Sequence, residues 1–527
     1  MKKVIVFILL ISSCSFLAFS QEVEDLNKPK LVVGIVVDQM RYDYLEKFSP
    51  YFSGNGFKKL QKEGFSYTNM NYNYKPSYTG PGHASIFTGA TPSIHGIVGN
   101  NWYSRTEGNS VYCVKVPTDS GFVLSPDRLL SESVGDVVKS TFNGQVYAVA
   151  LKDRGAILPA GHAADGAYWF NSKTGEWESS SFYPNQFPSF LKQFNSQNFK
   201  SEAIAENWVL NEELVGKEIK WLENSQTVQL QNFEYDLSSM FNDRNWDLLK
   251  SIPYGNQMTA DFAKNLIKAE NLGIDSTLDF LSVSFSATDY VGHIYGVESS
   301  EIADTYVKLD STLASFIDFL DHQIGKSNYV LFLSSDHGAD LSRKFLAGNN
   351  VASGRLKLDE MEHHLDAYLD SNFSEEDWII SLQNLNFYFN HDVKKKYSSK
   401  IDTVIDAATF YLLNDEGVAS VINPLRSESG SSDKESMVLN GFLKQRSGDL
   451  ILVESKHWTS YSEEGSTHGS AYSYDTHVPF ILYGAGVSSG NSNKQYKIVD
   501  IAPTICNTIG VKAPSGSVGK VITEHKK

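Results

Sequence analysis

Acidic side chains follow three apolar runs of the sequence, and a histidine adjoins one of them. These runs, with the acids that follow or end them, are LVVGIVVDQM with Asp38, LDFLSVSFSATDYVGH with Asp289, and YVLFLSSDHG with Asp336 and His337. Taken singly, an aspartate after a strand is commonly a turn or N-cap residue. Three acids that converged without a partner would repel one another, whereas a bound dication would neutralise them. The joint pattern therefore favours a metal site.

Further histidines supply candidate ligands. His293 lies four residues after Asp289, a spacing that brings both side chains to one helical turn. His468, in GSTHGSAYSYDTHVP (465–479), precedes another apolar run, and His477 competes with it because it directly precedes Val-Pro-Phe. A mixed set of aspartates and histidines suits zinc better than calcium or magnesium. We interpret the following histidines as structural: His83, His95, His162 and His477.

Thr79 is the candidate nucleophile. It is followed by Gly-Pro-Gly-His and then by the helix-compatible run ASIFTG. A hydroxyl at a helix N-terminus meets the helix dipole and free N–H groups, which favour an oxyanion and a phosphate. The structural alternative is that Thr79 is only an N-cap residue. An ordinary threonine hydroxyl is a weak nucleophile, so the catalytic interpretation requires activation by a metal.

The elements that must position these residues are predicted to be strands of a parallel sheet. The three runs are apolar on both faces, which is typical of central strands, and 145–154 and 478–486 are further candidates. In such sheets ligands bind outside the carboxyl ends of the strands. A helical pattern over 301–324, stopped by Gly325, predicts a crossover between the second and third strands, and another helix is expected around 498–510.

Length and composition indicate a large globular α/β protein. The chain has 527 residues, of which 41% are hydrophobic and 20% charged. Residues 21–527 are interpreted as one catalytic domain, with insertions or caps at about 160–270 and 345–465 because the best motifs flank them. The net charge of −16 disfavours binding to nucleic acid or to an anionic membrane.

The N-terminus has the pattern of a secretory signal peptide. Two lysines precede a short apolar run, and a cleavage site near Ser20 ends residues 1–20. This pattern predicts a periplasmic or secreted protein without stable membrane insertion. Lipoprotein anchoring at Cys14 is the less favoured alternative. Cys113 and Cys506 could pair in an oxidising compartment, but two cysteines do not define a disulfide framework.

Together the motifs resemble the alkaline phosphatase superfamily, and most of all the secreted PafA-type bacterial alkaline phosphatases. The resemblance spans residues about 31–500 in the family's order and implies that family's mostly parallel sheet flanked by helices, with inserted cap segments. The motifs that carry it are VVGIVVDQMRYDYL, PSYTGPGHASIFTG, PSIHGIVGN, LKDRGAILPAGHAADGAYWF, SATDYVGHIYG, SSDHGAD and STHGSAYSYDTHVPF.

The resemblance implies a division of labour around two zinc ions. One ion is expected to be held by Asp289, His293 and His468. The second is expected to be held by Asp38, Asp336, His337 and the nucleophile Thr79. Phosphate oxygens are expected to contact Asn100, Lys152 and Arg154. The spacing of the last two predicts an extended segment with both side chains on one face and Asp153 pointing away. From the sequence alone, Lys152 and Arg154 would be interpreted as the solvated end of a strand.

The implied activity is hydrolysis of small phosphate monoesters through a phosphothreonine, with inorganic phosphate as product. Lys152 and Arg154 favour a monoester dianion over the phosphodiesters that nucleotide pyrophosphatase/phosphodiesterases cleave with the same two-zinc site, which remains the alternative. The chain does not resemble a sulfatase, because the Cys/Ser-x-Pro-x-Arg motif that sulfatases require is not present around Thr79. A non-catalytic metal- or glycan-binding protein is a further alternative. Some relatives have a third metal site, for magnesium. Lys152 resembles the residue that takes the place of that ion, so no magnesium site is expected.

Overall fold

A ten-stranded mixed sheet contains the apolar runs seen in the sequence. The computed structural model describes residues 28–526 except 185, 224–226, 242–245 and 428–431, so the predicted signal peptide and Cys14 lie outside it. The strands of the sheet are β1 (Leu31–Val37), β2 (Phe65–Asn71), β3 (Val146–Ala150), β4 (Gly166–Asn171), β5 (Glu176–Glu178), β6 (Asp279–Phe285), β7 (Tyr329–Ser334), β8 (His477–Gly484), β9 (Gly490–Ser492) and β10 (Tyr496–Lys497). Their order is β9-β2-β8-β7-β1-β6-β3-β4-β5, and β10 also pairs with β2.

The predicted central strands lie side by side and run parallel, in the order β7-β1-β6-β3. Every residue of all four strands is buried, as expected for strands covered on both faces. Val37 pairs with Phe285, Val36 with Ser334, and Ser284 with Ala150, so the four strands end nearly level. Their carboxyl ends therefore form one rim, which confirms the arrangement expected from the sequence.

The direction of the fifth predicted strand, 478–486, differs from the sequence expectation. It forms β8, which is antiparallel to both β7 and β2. An apolar run looks the same in either direction, so the pattern could not give the orientation. The reversal matters for function, because the amino end of β8 meets the carboxyl ends of the parallel strands. Residues just before His477 consequently arrive at the same rim.

Helices cover both faces of the sheet. They are α1 (Phe57–Glu63), α2 (Thr79–Thr88), α3 (Val134–Phe142), α4 (Asp153–Ala160), α5 (Tyr254–Glu270), α6 (Ala287–Tyr295), α7 (Ser300–Gln323) and α8 (Ile501–Thr508). Alternate residues of β1 divide between two apolar cores, one with α1, α5, α6 and α7 and the other with α2, α3, α4 and α8. The predicted crossover helix is α7, which lies between β6 and β7 in the chain, and α8 is the expected C-terminal helix.

The two predicted inserted segments differ in structure. The first, about 160–270, contributes β4, β5 and α5 to the sheet and its helical layer. Within the second, a four-stranded sheet has its own apolar core, with strands in the order Ile379–Gln383, Asn386–Phe389, Leu450–Glu454 and Val418–Ile422. Two of its helices are Leu358–Asn372 and Ile401–Leu412. The division into one catalytic domain with insertions remains our interpretation.

Shorter elements connect these parts. The remaining helices are Tyr44–Lys47, Pro92–His95, Ser189–Asn195, Phe199–Ala205, Leu237–Met240, Arg343–Gly348, His391–Lys396, Asp433–Gly441 and Ser473–Thr476. Two-stranded pairs are formed by Asn101–Ser104 with Asn109–Tyr112, Lys115–Thr118 with Gly121–Leu124, Trp208–Val209 with Glu234–Tyr235, Glu218–Ile219 with Val228–Gln229, and Gly354–Arg355 with Trp458–Thr459. No helix in the described part of the chain is long and apolar enough to cross a membrane. Cys113 and Cys506 are buried free thiols, and burial raises the pKa of each to about 12.

Candidate active site

The rim of the sheet brings the predicted acids together. Asp38 directly follows β1, Asp336 follows β7, and Asp289 lies in the first turn of α6, immediately after β6. Asp38 and Asp336 have no exposed surface and Asp289 is 3% exposed. Lys152 follows β3 as the N-cap residue of α4. The cluster thus forms because neighbouring parallel strands end at the same edge, each with a polar residue close behind.

The three predicted histidine ligands share one tautomer. In each, Nδ1 donates to a backbone carbonyl: His293 to Ser466 (2.7 Å), His337 to Gly338 (3.0 Å) and His468 to Ser77 (2.9 Å). A protonated Nδ1 leaves the Nε2 lone pair free to bind a metal, the usual arrangement at histidine metal sites. Burial lowers the pKa of His337 and His468, which keeps both imidazoles neutral. These rings are therefore prepared as ligands.

Two overlapping groups of ligand atoms are close enough to hold metal ions. They are Asp289 with His293 and His468, and Asp38 with Asp289 and His337. Asp336 adjoins the second group, since its Oδ2 lies 3.5 Å from His337 Nε2. The rings of His337 and His468 stack with centroids 3.4 Å apart, which makes the two groups continuous.

The donor atoms fit metal ions on their own chemistry. Among the described residues, Asp38 Oδ1, Asp336 Oδ2 and His337 Nε2 are buried and have no hydrogen-bond partner. Leaving such atoms unsatisfied costs free energy, so each requires a cationic partner. Burial, followed by the adjacent Asp336 carboxylate, holds the pKa of Asp38 well above its usual range. A bound dication would reverse that preference and stabilise the carboxylate.

Lys152 is the cation that lies among these carboxylates. Its Nζ donates to Asp289 Oδ2 at 2.5 Å. The same Nζ forms an ion pair with Asp38 Oδ2 at 2.6 Å, although the angle there does not suit a hydrogen bond. Burial opposes the charged amine, but Asp289 and Asp38 outweigh it and raise the pKa of Lys152. The ammonium also lies 3.4 Å from Thr79 Oγ1. One positive charge cannot balance three carboxylates, so the cluster retains capacity for metal cations.

Thr79 begins α2 and faces the cluster. Arg154 Nη2 and Lys152 Nζ each donate to its Oγ1 at 3.4 Å, so two cations converge on the predicted nucleophile. Asn100 Oδ1 accepts from the Gly80 N–H at 2.7 Å, which leaves its amide nitrogen as the atom able to donate to a phosphate oxygen. The helix N-terminus adds its own dipole to this anion-binding corner.

The local conformation around Arg154 corrects the sequence expectation. Lys152 is extended, but Arg154 lies in the first turn of α4 rather than on an extended segment. Asp153 Oδ1 accepts from the Tyr112 hydroxyl at 2.5 Å. Arg154 Nη1 donates to the same hydroxyl at 3.1 Å. Tyr112, which sequence reasoning missed, therefore positions both Asp153 and Arg154.

Gln39 is a second residue that the sequence did not indicate. Its Nε2 donates to Asp289 Oδ1 (2.8 Å) and its backbone N–H donates to Asp336 Oδ1 (3.2 Å). Its φ of 63° is a left-handed conformation that costs about 1–2 kcal/mol for a residue other than glycine. The strain lies directly after Asp38, where the chain must turn to connect three acids. The positive φ could not be read from the residue type.

His83 and Gly82 place α2 against the rim. His83 Nδ1 donates to the Thr79 carbonyl at 2.9 Å and lies 3.3 Å from Asp336 Oδ2, while Ser284 bonds its Nε2. At Gly82 a Cβ would lie 2.3 Å from the Asp336 carbonyl oxygen, so only glycine allows this approach. His83 is therefore structural, as predicted, but it supports a candidate ligand and the nucleophile together.

The competing histidines have other partners. His477 Nε2 donates to the Thr68 carbonyl at 2.8 Å, and its ring stacks on Tyr42. His95 bonds Ser85, and His162 bonds the Leu129 carbonyl. These contacts support the structural interpretation of all three.

Comparison with known proteins identifies the family. Residues 32–478 match the family model for type I phosphodiesterase / nucleotide pyrophosphatase. The chain is 37% identical over 96% of its length, and 96% of the relative's, to the alkaline phosphatase PafA of Elizabethkingia meningoseptica. It is 38% identical over 97% of both chains to a protein of Myroides odoratus named calcium-transporting ATPase.

A solved structure agrees in fold and in extent. The crystal structure of wild-type alkaline phosphatase PafA matches with a TM-score of 0.87 and 35% identity, covering 95% of this chain and 99% of that one. This match confirms the α/β fold class with its large sheet flanked by helices. The chain belongs to the type I phosphodiesterase / nucleotide pyrophosphatase family, within the alkaline phosphatase superfamily.

Proposed function

We propose that this protein is a secreted two-zinc phosphomonoesterase that cleaves small phosphate esters with Thr79 as its nucleophile. The observation that carries the proposal is the convergence of Lys152 and Arg154 on Thr79 Oγ1, each at 3.4 Å. A monoester brings a dianion to this point, and the two cations, Lys152 buried and Arg154 half-buried, match that charge. The alkaline phosphatase relatives support the same activity.

Metal binding is assigned to the donor set on the rim. We propose that Asp289, His293 and His468 hold one zinc, and that Asp38, Asp336, His337 and Thr79 hold the other. Histidine with carboxylate ligands suits zinc, and the buried ligand atoms without a hydrogen-bond partner, such as Asp336 Oδ2 and His337 Nε2, support the assignment. When bound, two zinc ions would supply Lewis-acid stabilisation for the attacking and leaving oxygens.

The protein's own groups account for positioning the phosphoryl group. Asn100, Lys152 and Arg154 surround the space over Thr79, so a phosphoryl group held there meets three side-chain donors and the N-terminus of α2. These donors gain strength as negative charge accumulates on the transferring oxygens, which lowers the barrier rather than merely tightening binding.

The reaction proceeds in two displacements at phosphorus. Thr79 Oγ1 forms a bond to phosphorus while the ester P–O bond breaks, and the alcohol departs with the electron pair and takes up a proton. Water then attacks the phosphothreonine, the bond to Thr79 breaks, and inorganic phosphate is released. Arg154, bonded to Tyr112, and Lys152, bonded to Asp289, are positioned for both displacements by these hydrogen bonds.

Hydrolysis of phosphodiesters is the second candidate, because the family model is named for it. A diester carries one charge fewer and a second substituent, so it uses the paired cations less well. We expect monoesters to be preferred, with diester cleavage as a slower activity. The predicted signal peptide supports action in the periplasm or outside the cell.

The test compares parent protein and Thr79→Ala on one preparation each. The parent should hydrolyse p-nitrophenyl phosphate with a kcat/KM well above that for bis-p-nitrophenyl phosphate, and acid quenching should trap phosphate on Thr79. The variant should lose turnover and trapped phosphate while retaining its zinc. Equal loss of zinc would make Thr79 chiefly a ligand, and faster diester cleavage by the parent would replace the monoesterase by the second candidate.

A further inference from the structure

A cavity of about 220 Å³ opens beside one of the two candidate metal groups. His468 belongs both to that group and to the cavity wall. Two aromatic walls also touch the histidines: the Tyr461 ring lies 5.2 Å from that of His293, and the Tyr78 ring lies 5.4 Å from that of His468. The far wall is supplied by the second inserted segment, through Leu356, Leu358, Leu385 and Trp458.

The cavity adjoins the nucleophile as well as the candidate metal group, because Tyr78, which directly precedes Thr79, lies in its wall. The lining residues do not include Thr79 or its neighbours Asn100, Lys152 and Arg154, all of them within the described part of the chain. In a phosphoryl transfer the attacking and leaving oxygens are in line on opposite sides of phosphorus. A phosphoryl group held over Thr79 has this cavity beside it, open to an alcohol that leaves on the side of His468.

The three acidic groups in the wall differ in their partners. Asp340 accepts from His457 at 2.8 Å, and Glu454 is paired with Lys75. Asp475 is 1% exposed, and its Oδ2 accepts from the Ser470 N–H at 2.7 Å, whereas its Oδ1 has no partner among the described residues. Burial raises the pKa of Asp475 well above its usual value. The three acids of the wall are thus either paired or buried.

Leu385 reaches the cavity from a strained turn. The strands Ile379–Gln383 and Asn386–Phe389 are joined by Asn384 and Leu385, with φ of 53° and 60°. Hairpin turns of this kind usually place glycine second, because a branched residue rarely adopts positive φ. Here the leucine side chain lines the cavity, and strain of this kind concentrates at ligand sites. Asn384 also donates to the Asn101 carbonyl at 2.6 Å, which fixes the turn beside Asn100.

We propose that this cavity binds the alcohol part of the phosphate monoester and selects an uncharged single ring, an aryl group or a monosaccharide. The inference rests on the proposed function and adds the substrate class. A cavity of about 150 Å³ accommodates a benzene-sized ring, so 220 Å³ accommodates one ring with substituents. Tyr461 and Trp458 supply aromatic side chains. The apolar side chains Leu356, Leu358, Leu385 and Trp458 disfavour an alcohol that carries a second charge, because that charge would lose its hydration there.

The test measures selectivity in the zinc-loaded, full-length protein. The kcat/KM values for phenyl phosphate and for glucose 6-phosphate are each divided by the kcat/KM for methyl phosphate. Each ratio is then compared between a variant and the parent, so that the intrinsic reactivity of the substrates cancels. Leu385→Gly and Trp458→Ala should each lower the ratio about tenfold for at least one ring class. A lower ratio for only the aryl or only the sugar substrate identifies that class as the ligand. Lower ratios for both support a site for single rings in general.

Controls separate this inference from the proposed function. Phe410→Ala changes a side chain that is 67% exposed outside the cavity and should leave both ratios within twofold. Leu385→Gly removes the side chain at a φ that suits glycine, so it tests the cavity even if Trp458→Ala does not fold. Unchanged ratios in an active Leu385→Gly protein would overturn the inference alone, whereas absence of any monoesterase activity in the parent would overturn the proposed function.

A charged alcohol provides an independent arm of the test. In the parent protein, 4-carboxyphenyl phosphate should be hydrolysed with a kcat/KM at least tenfold below that of phenyl phosphate, because its carboxylate would lose its hydration against the apolar wall. Equal values would contradict selection for an uncharged ring.

Discussion

Replacement of Gly82 by alanine tests whether the fit between α2 and the rim controls catalysis. The added Cβ would lie 2.3 Å from the carbonyl oxygen and 2.7 Å from the Cβ of Asp336. An ordinary contact begins near 3.4 Å, so α2 or the Asp336 loop must move by about 1 Å. Because Thr79 is one helical turn before Gly82, that movement separates the nucleophile from the acids. A misplacement of about 1 Å can cost 100-fold in rate, about 2.7 kcal/mol of transition-state stabilisation.

The assay combines activity with stability and metal content. We expect kcat/KM for p-nitrophenyl phosphate to fall about 100-fold in Gly82→Ala, and the free energy of unfolding to fall by about 1–3 kcal/mol because the site becomes overpacked. The matched control is Gly348→Ala at the end of helix Arg343–Gly348, where no atom lies within 4 Å of an added Cβ. There alanine should leave activity unchanged and raise stability by at most about 1 kcal/mol.

The two glycines together decide the outcome. A folded Gly82→Ala protein with the kcat/KM of the parent would refute the close-fit reasoning, because the geometry leaves no space for the added carbon. Loss of activity in Gly348→Ala as well would show that the assay reports general damage rather than the position of Thr79.

Two other predictions concern the candidate site, and a third concerns His525, which is buried against Tyr67 and Thr508. Arg154→Ala should lower kcat/KM at least tenfold more for p-nitrophenyl phosphate than for bis-p-nitrophenyl phosphate, since the lost cation faces the extra charge of the monoester; equal losses would contradict that contact. His468→Ala should bind one zinc fewer by metal analysis whereas His477→Ala keeps both, and the opposite pattern would transfer the ligand assignment. Burial lowers the pKa of His525 to about 4; an unfolded chain therefore binds more protons between about pH 6.5 and 4, and stability should fall by about 1–3 kcal/mol as pH drops through that window. Chemical denaturation should show a smaller loss in His525→Gln, and an equal loss would place the effect on other groups.

The rim of the site could be predicted because it follows from patterns within short stretches of the sequence. Runs apolar on both faces mark central strands, and parallel strands end together, so acids placed just after them must meet. This reasoning led to Asp38, Asp289 and Asp336, and the structure brings them together. The choice of His468 over His477 also matches their contacts, although the role of each ligand remains a proposal.

Other features depend on contacts that no local pattern records. The direction of β8 was missed because burial is the same for parallel and antiparallel strands. Tyr112 reaches Arg154 across 42 positions of sequence, and the strain at Gln39 arises from three acids that meet only in the fold. The helical start at Asp153 was overlooked because the spacing of Lys152 and Arg154 fits a strand equally well.

The zinc content of the purified protein tests the central claim most directly. Metal analysis of the chain, expressed with zinc available, should give two zinc ions per molecule. Removal of the metal with a chelator should abolish hydrolysis of p-nitrophenyl phosphate, and zinc should restore it in proportion to the ions rebound. A fully active protein without bound metal would contradict the account, because the buried carboxylates and free Nε2 atoms would then have no part in the chemistry.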